Sequence, residues 1–219
     1  MTDVRENCRR ILDKIRNAAT RSGREPASIR LIAVTKTVPV AKIREAVATG
    51  ISNIGENRLQ EALPKRAALA DLPLTWHFIG HLQTNKAKKA VEQFDWVQCI
   101  DRPDIAEKLN QAATRRLPVL VEVKLHDEPS KSGVVESELK DFVSRFSHYD
   151  RLDLRGFMAI PPFFENPEDV RPYFRKLRVL AEKFGLPELS MGMSNDFEVA
   201  IEEGATMVRV GSALFGERQ

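Results

Sequence analysis

Short apolar, β-branched runs alternate with amphipathic stretches along the whole chain, and this alternation is the tightest constraint on its fold. The strand-like runs fall at residues 29–35, 52–54, 75–79, 95–100, 118–124, 153–158, 188–190 and 206–210. Between them, helical patterning covers 56–69, 84–93, 103–115, 136–146, 167–184 and 196–203, and Pro39 opens a further helix that Gly50 closes. Strands separated by helices run parallel through right-handed crossovers. Eight such units in 219 residues predict an α/β fold, a single (β/α)8 TIM barrel over residues 1–219 with an extra N-terminal helix at 2–20. A doubly wound open sheet is the alternative, because strand number alone does not close a ring. No linker or shift in composition marks a second domain.

The leading helix carries Val4, Cys8, Ile11, Leu12, Ile15 and Ala19 on one stripe, with Thr2 as its cap and Asp3 at the positive end of its dipole. Asn166-Pro-Glu-Asp169 marks another helix start, combining a cap, a first-turn proline and two acids. Gly50 and Gly204 occupy matching helix ends, each followed by a short strand.

Composition sets the function classes aside or keeps them. The net charge of +3 is small and dispersed, which argues against nucleic acid and membrane partners. Lys86-Ala-Lys88-Lys89 reads as the solvated face of a short helix. Two cysteines, Cys8 in a helix and Cys99 in a strand, with no secretory leader, predict free thiols in the cytoplasm. No apolar run reaches the length of a membrane span. A monomer is the default expectation.

Barrels bind ligands at the carboxyl ends of their strands. Leu31-Ile-Ala-Val-Thr-Lys36 delivers a lysine to the first of these ends. An amine partly withdrawn from water there can lose its proton and form a Schiff base with an aldehyde, whereas a plain rim lysine would snorkel outward. The second strand ends in Gly55-Glu56-Asn57, the third brings His77, Gly80 and His81, and the sixth brings Met158. The seventh and eighth ends, around Gly192, Ser194 and Asn195 and around Gly211 and Ser212, are small and rich in donors. Barrels frequently hold phosphate at that place; helix capping is the competing reading of the two serines. Arg209 lies inside the last strand, so its guanidinium must enter the lumen. There it pairs with Glu122 or Glu56, or it donates to a ring nitrogen of a bound heterocycle. A Schiff-base lysine, a phosphate cup and an inward arginine together describe a site for pyridoxal phosphate (PLP). His77 and His81 have the spacing of a metal pair, but Gly80 and the strand-to-loop setting spoil the geometry, and no metal is expected.

Seven stretches carry a resemblance: Val34-Thr-Lys36, Ile54-Gly-Glu-Asn57, His77-Phe-Ile-Gly-His-Leu-Gln-Thr-Asn85, Lys131-Ser-Gly133, Met158-Ala-Ile-Pro161, Leu189-Ser-Met-Gly-Met-Ser194 and Val208-Arg-Val-Gly211. In this order they resemble the pyridoxal phosphate homeostasis proteins. The resemblance implies a barrel like the N-terminal domain of alanine racemase with PLP bound covalently. It implies Lys36 as the Schiff-base residue, Ser194, Gly211 and Ser212 on the phosphate, and Arg209 facing the pyridine nitrogen. Asn57 would lie near the ring, with His77 and Met158 as further neighbours. Arg58, Lys124 and Ser212 depart from the residues commoner at those positions, and Ser212 keeps the hydroxyl of the more frequent threonine.

Two functions compete for such a site. A PLP carrier in vitamin B6 homeostasis, influencing amino-acid balance, is what the resemblance implies, with PLP and PLP-requiring apo-enzymes as partners. The alternative is a small PLP-dependent amino-acid racemase. Racemisation needs a second acid/base on the far face of the substrate, which is a tyrosine in alanine racemase-like enzymes. Tyr149 and Tyr173 are the only tyrosines, and neither falls at a predicted strand end. An arginine at the pyridine nitrogen also disfavours its protonation and weakens the electron sink. A Schiff-base aldolase would use the lysine and the cup but leaves Arg209 unexplained. The residues favour the non-catalytic carrier.

Overall fold

The computed structural model describes residues 3–126 and 132–216. Helix α1 (Val4–Arg21) leads the chain and buries Val4, Cys8, Ile11, Ile15, Ala18 and Ala19. Its cap is Asp3, whose Oδ1 accepts from the N–H groups of Arg5 and Glu6 at 2.9 and 3.2 Å; Thr2 lies outside the described residues.

The first half then runs β1 (Arg30–Val34), α2 (Val40–Val47), β2 (Asn53–Glu56), α3 (Leu59–Ala68), β3 (Thr75–Phe78), α4 (Ala87–Gln93), β4 (Trp96–Ile100), α5 (Pro103–Ala112) and β5 (Leu117–Lys124). The second half runs β6 (Val134–Val135), α6 (Leu139–Ser144), β7 (Leu152–Met158), α7 (Arg171–Lys183), β8 (Glu188–Ser190), α8 (Phe197–Glu202), β9 (Met207–Val210) and α9 (Ser212–Phe215). All pairings are parallel, and the order β4-β3-β2-β1-β9-β8-β7-β5 closes through a β4–β5 pairing. That last pairing removes the two edges an open sheet would have, so the doubly wound alternative falls.

Differences from the sequence reading sit at boundaries. Glu56 continues its strand, so the following helix begins only at Leu59. The helices at 84–93 and 136–146 open as 3-10 turns before becoming α-helical. The two-residue strand β6, paired with β5 beyond Glu122, and the four-residue α9 are too short to show periodicity. Gly50 and Gly204 adopt left-handed φ of 99° and 103°, as their matching sequence contexts imply.

Strand alternation decides what enters the lumen. Ile32 of β1 lies beside Arg209 of β9, and steps of two from Ile32 lead through Val34 to Lys36. Thr35, between them, faces the helical layer, where its hydroxyl donates to Glu56 Oε1 at 2.6 Å. Lys65 of α3 completes that buried cluster, 2.7 Å from the same oxygen. The lumen floor holds an Arg30–Glu188 ion pair, with the Arg30 guanidinium 5.0 Å above the Trp96 ring. Gly156 lets β7 and β8 approach, since a Cβ there would stand 1.8 Å from Glu188 O. No helix among the described residues is long and apolar enough to cross a membrane.

Candidate functional site

A cavity of about 1260 Å³ opens at the carboxyl ends of the strands. Lys36, Asn57, Ser194, Arg209, Gly211 and Ser212 all line it. The period of two that brings Lys36 here is broken immediately afterwards. Thr37 takes a φ of 63°, a left-handed conformation that strains a β-branched residue by about 1–3 kcal/mol. Its N–H donates to Glu61 Oε2 at 3.0 Å, which helps hold the turn.

Asn57 follows β2, and Gly80 of the next strand end lets its backbone sit close: a Cβ at Gly80 would meet Asn57 O at 2.4 Å. Asn57 Oδ1 is buried and has no hydrogen-bond partner in the described protein. A buried acceptor on a cavity wall is satisfied by a ligand donor.

The cup is built from the two loops that follow β8 and β9. Gly192, at φ 89°, packs under the α8 backbone, and the Asp196 carboxylate accepts from Met193 N at 2.6 Å. These fix the loop that carries Ser194. Ser194 Oγ then accepts from Gly211 N at 3.3 Å and Ala213 N at 3.2 Å. Ser194 therefore does not cap its own helix, whose cap position is Asp196; it reaches across to the start of α9. Two converging amides and the hydroxyls of Ser194 and Ser212 suit the oxygens of a phosphate. Asn195 also lines the cavity, and its amide donates to Phe164 O at 3.0 Å.

Arg209 is buried beneath the cavity. Its Nη1 donates to Ser190 Oγ at 2.7 Å and its Nη2 to Ala159 O at 2.9 Å. The ion pairs considered from sequence do not form: Glu56 faces the helices and pairs with Lys65, and Glu122 acts on Arg209 only through its charge. Burial pulls the guanidinium down to about 10, opposed by Glu122 and Asp196, so it remains a cation at neutral pH.

Other expected neighbours lie elsewhere. His77 sits inside the barrel, where burial, aided by Arg30, holds it down at about 3 and therefore neutral. Its ring stacks on Trp96 at 5.8 Å. His81 is at the surface, 3.7 Å from Asp101, so the two histidines do not converge. Met158 is fully buried below the cavity wall. Arg58 is exposed and pairs with Glu61 at 3.6 Å, and Lys124 lines a separate cavity of about 200 Å³, so neither departure touches the main site. In Lys131-Ser-Gly133, Lys131 lies outside the described residues, while Gly133 packs on the Lys124 backbone.

The sequence reading missed Lys42 and Glu45 of α2 and Phe163 after β7, which line the mouth with Ile160 of the quoted Met158–Pro161 stretch. Only the proximity of α2 to Lys36 signals the first two. Phe163 is 75% exposed, a large apolar side chain turned to solvent beside the cavity.

A family model described as the alanine racemase N-terminal domain matches residues 7–219. A pyridoxal phosphate homeostasis protein of Aquifex aeolicus is 46% identical over 98% of this chain and 98% of its own. The chain belongs to the pyridoxal phosphate homeostasis protein family. A member from Pseudomonas aeruginosa is 46% identical over 100% of this chain and 97% of its own, and one from Escherichia coli 43% identical over 100% and 98%. Among solved structures, PipY of Synechococcus elongatus with PLP bound superposes at a TM-score of 0.82 with 40% identity, covering 93% of this chain and 100% of PipY. Alanine racemase of Corynebacterium glutamicum, at 20% identity, a TM-score of 0.71 and coverage of 96% and 61%, shares the fold of the family.

Proposed function

We propose that this chain holds PLP covalently on Lys36 and acts in PLP homeostasis as a carrier without a catalytic site of its own. The observation that carries the reading is the convergence of Lys36, the Ser194–Gly211 cup and Arg209 on one cavity. PLP supplies an aldehyde that a lysine amine can hold as a Schiff base. Ser194, Gly211 and Ser212 hold its phosphate, and Asn57 lies beside the ring. Arg209 offers a donor to the pyridine nitrogen and, as a cation, keeps that nitrogen from taking a proton. That choice suits storage over carbanion chemistry. Neither Tyr149 nor Tyr173 lines the cavity, which speaks against a racemase built like the alanine racemases.

The whole chain, residues 1–219, serves as one PLP-binding unit, monomeric and cytoplasmic. Its buried free thiols, Cys8 and Cys99, suit a reducing compartment. PLP-requiring apo-enzymes are the receiving partners, and the exposed Phe163 at the mouth supports such a contact.

Borohydride reduction of the PLP-loaded protein followed by peptide mapping tests the reading. The expected result is an adduct on Lys36, and loss of the visible band in Lys36→Ala with an unchanged circular dichroism spectrum. Replacing both Ser194 and Ser212 by alanine weakens PLP more than pyridoxal. No adduct on Lys36, or equal losses for the two ligands, would sink the corresponding assignment. Steady turnover of an amino acid, lost in Lys36→Ala, would overturn the carrier reading.

A further inference from the structure

The barrel lumen contains a continuous line of polar side chains that ends on Arg209. Arg209 donates to Ser190 Oγ at 2.7 Å, and Ser190 donates to Gln98 Oε1 at 2.6 Å. Gln98 Nε2 lies 3.0 Å from His77 Nδ1 and 3.4 Å from Met207 Sδ, and His77 Nε2 lies 2.9 Å from Asn53 Oδ1. Ser190, Gln98 and His77 are fully buried, and none of the three lines the cavity.

The direction of every hydrogen follows from the first member. A guanidinium can only donate, so Ser190 oxygen must accept from it and turn its own hydrogen to Gln98. Gln98 thus presents its carbonyl to Ser190 and its amide to His77. His77 Nδ1 must then be the bare acceptor, and Nε2 carries the proton toward Asn53. This arrangement satisfies every member, whereas turning Gln98 round would take from the Ser190 hydroxyl the acceptor of its hydrogen. With Nη2 fixed on Ala159 O at 2.9 Å, the guanidinium is held at two corners and cannot rotate.

We propose that Ser190, Gln98 and His77 are positioning residues, a one-way hydrogen-bond relay that fixes the plane of Arg209 so that it can meet the pyridine nitrogen of bound PLP. The proposal rests on the PLP reading above. The relay explains why Arg209, Ser190, Gln98 and His77 occupy the barrel core where aliphatic side chains would fill the space. Lys36 belongs to another strand end, but the cup loops follow β8 and β9, the strands that carry Ser190 and Arg209, so the test must separate an effect on the ring nitrogen from one on the phosphate.

The test compares wild type and Ser190→Ala, each loaded with PLP and with an analogue carrying C–H in place of the ring nitrogen. Ser190→Ala is expected to keep its Lys36 adduct, to shift the visible absorbance maximum, and to bind PLP roughly tenfold more weakly. Its affinity for the analogue is expected to match wild type. An unchanged spectrum and PLP affinity, or equal losses for both ligands, would overturn the relay while leaving the PLP reading intact. A wild-type chain with no trapped adduct overturns the PLP reading, and the proposal with it. Should Ser190→Ala not fold, nitrogen NMR of His77 in the wild-type protein decides: the Nε2–H tautomer is expected, and an Nδ1–H tautomer or an imidazolium overturns the relay.

Discussion

Gly192 shows how narrowly single residues define this site. Its φ of 89° disfavours any side chain, and a Cβ there would come 2.5 Å from the Ala200 methyl and 3.0 Å from Phe197 Cα. Gly192→Ala is therefore expected to cost about 2 kcal/mol or more and to displace the Ser194 loop. Urea denaturation would measure the first effect, and a weaker grip on PLP than on pyridoxal the second. Residues of this kind were legible in the sequence because their type and place carry the chemistry. A lysine two steps beyond a core residue, and serines beside glycines at the last two strand ends, imply their surroundings. Ser190, Gln98 and His77 were not legible as a unit. Their partnership spans three strands, and although His77 was singled out as a neighbour of the ring and Ser190 falls in a quoted stretch, nothing in the sequence links either to Gln98. Arg209 was half legible: its inward direction followed from its strand, but its neutral partners, Ser190 Oγ and Ala159 O, did not.

At the scale of elements, the leading helix ties the barrel's ends together. The buried stripe of α1 packs against α2, α8 and α9, and the Asn7 amide donates to Leu214 O of α9 at 3.0 Å. Asp3→Ala removes the acceptor for two first-turn amides and is expected to destabilise the fold by about 1 kcal/mol, read as a lower urea midpoint with an unchanged slope. The strand–helix alternation was readable because its two periods differ. The closure was not, because it needs the first strand to pair with the last, β1 with β9, and depends on tilt and shear that no local pattern encodes. The 3-10 openings were hidden for a similar reason, since they differ from an α-helical turn by one hydrogen bond.

For the molecule as a whole, one half-buried carboxyl contributes a distinctive response to pH. Burial and the neighbouring Asp101 push Glu122 up to about 7, against the pull of Arg209. Between its ordinary value of 4.5 and about 7, the folded chain keeps a proton that the unfolded chain has released. Stability is therefore full below that window and declines as pH rises through it. Glu122→Gln is expected to raise Tm by several degrees at pH 8, a gain of at most about 3 kcal/mol that shrinks to nothing as pH falls through the window. Scanning calorimetry at the two extremes would show it, and an equal gain at both would refute it.

The contact between α1 and α9 also has a consequence for synthesis. A ribosome makes Lys36 well before Ser194, Arg209, Gly211 and Ser212. The apolar stripe of α1 can pack early on α2 but stays partly uncovered until α8 and α9 are made, so the barrel locks only after its last strand. Its amine is thus available long before there is a cup to hold a phosphate beside it. On the proposed reading, capture of the cofactor follows synthesis of the last barrel strand.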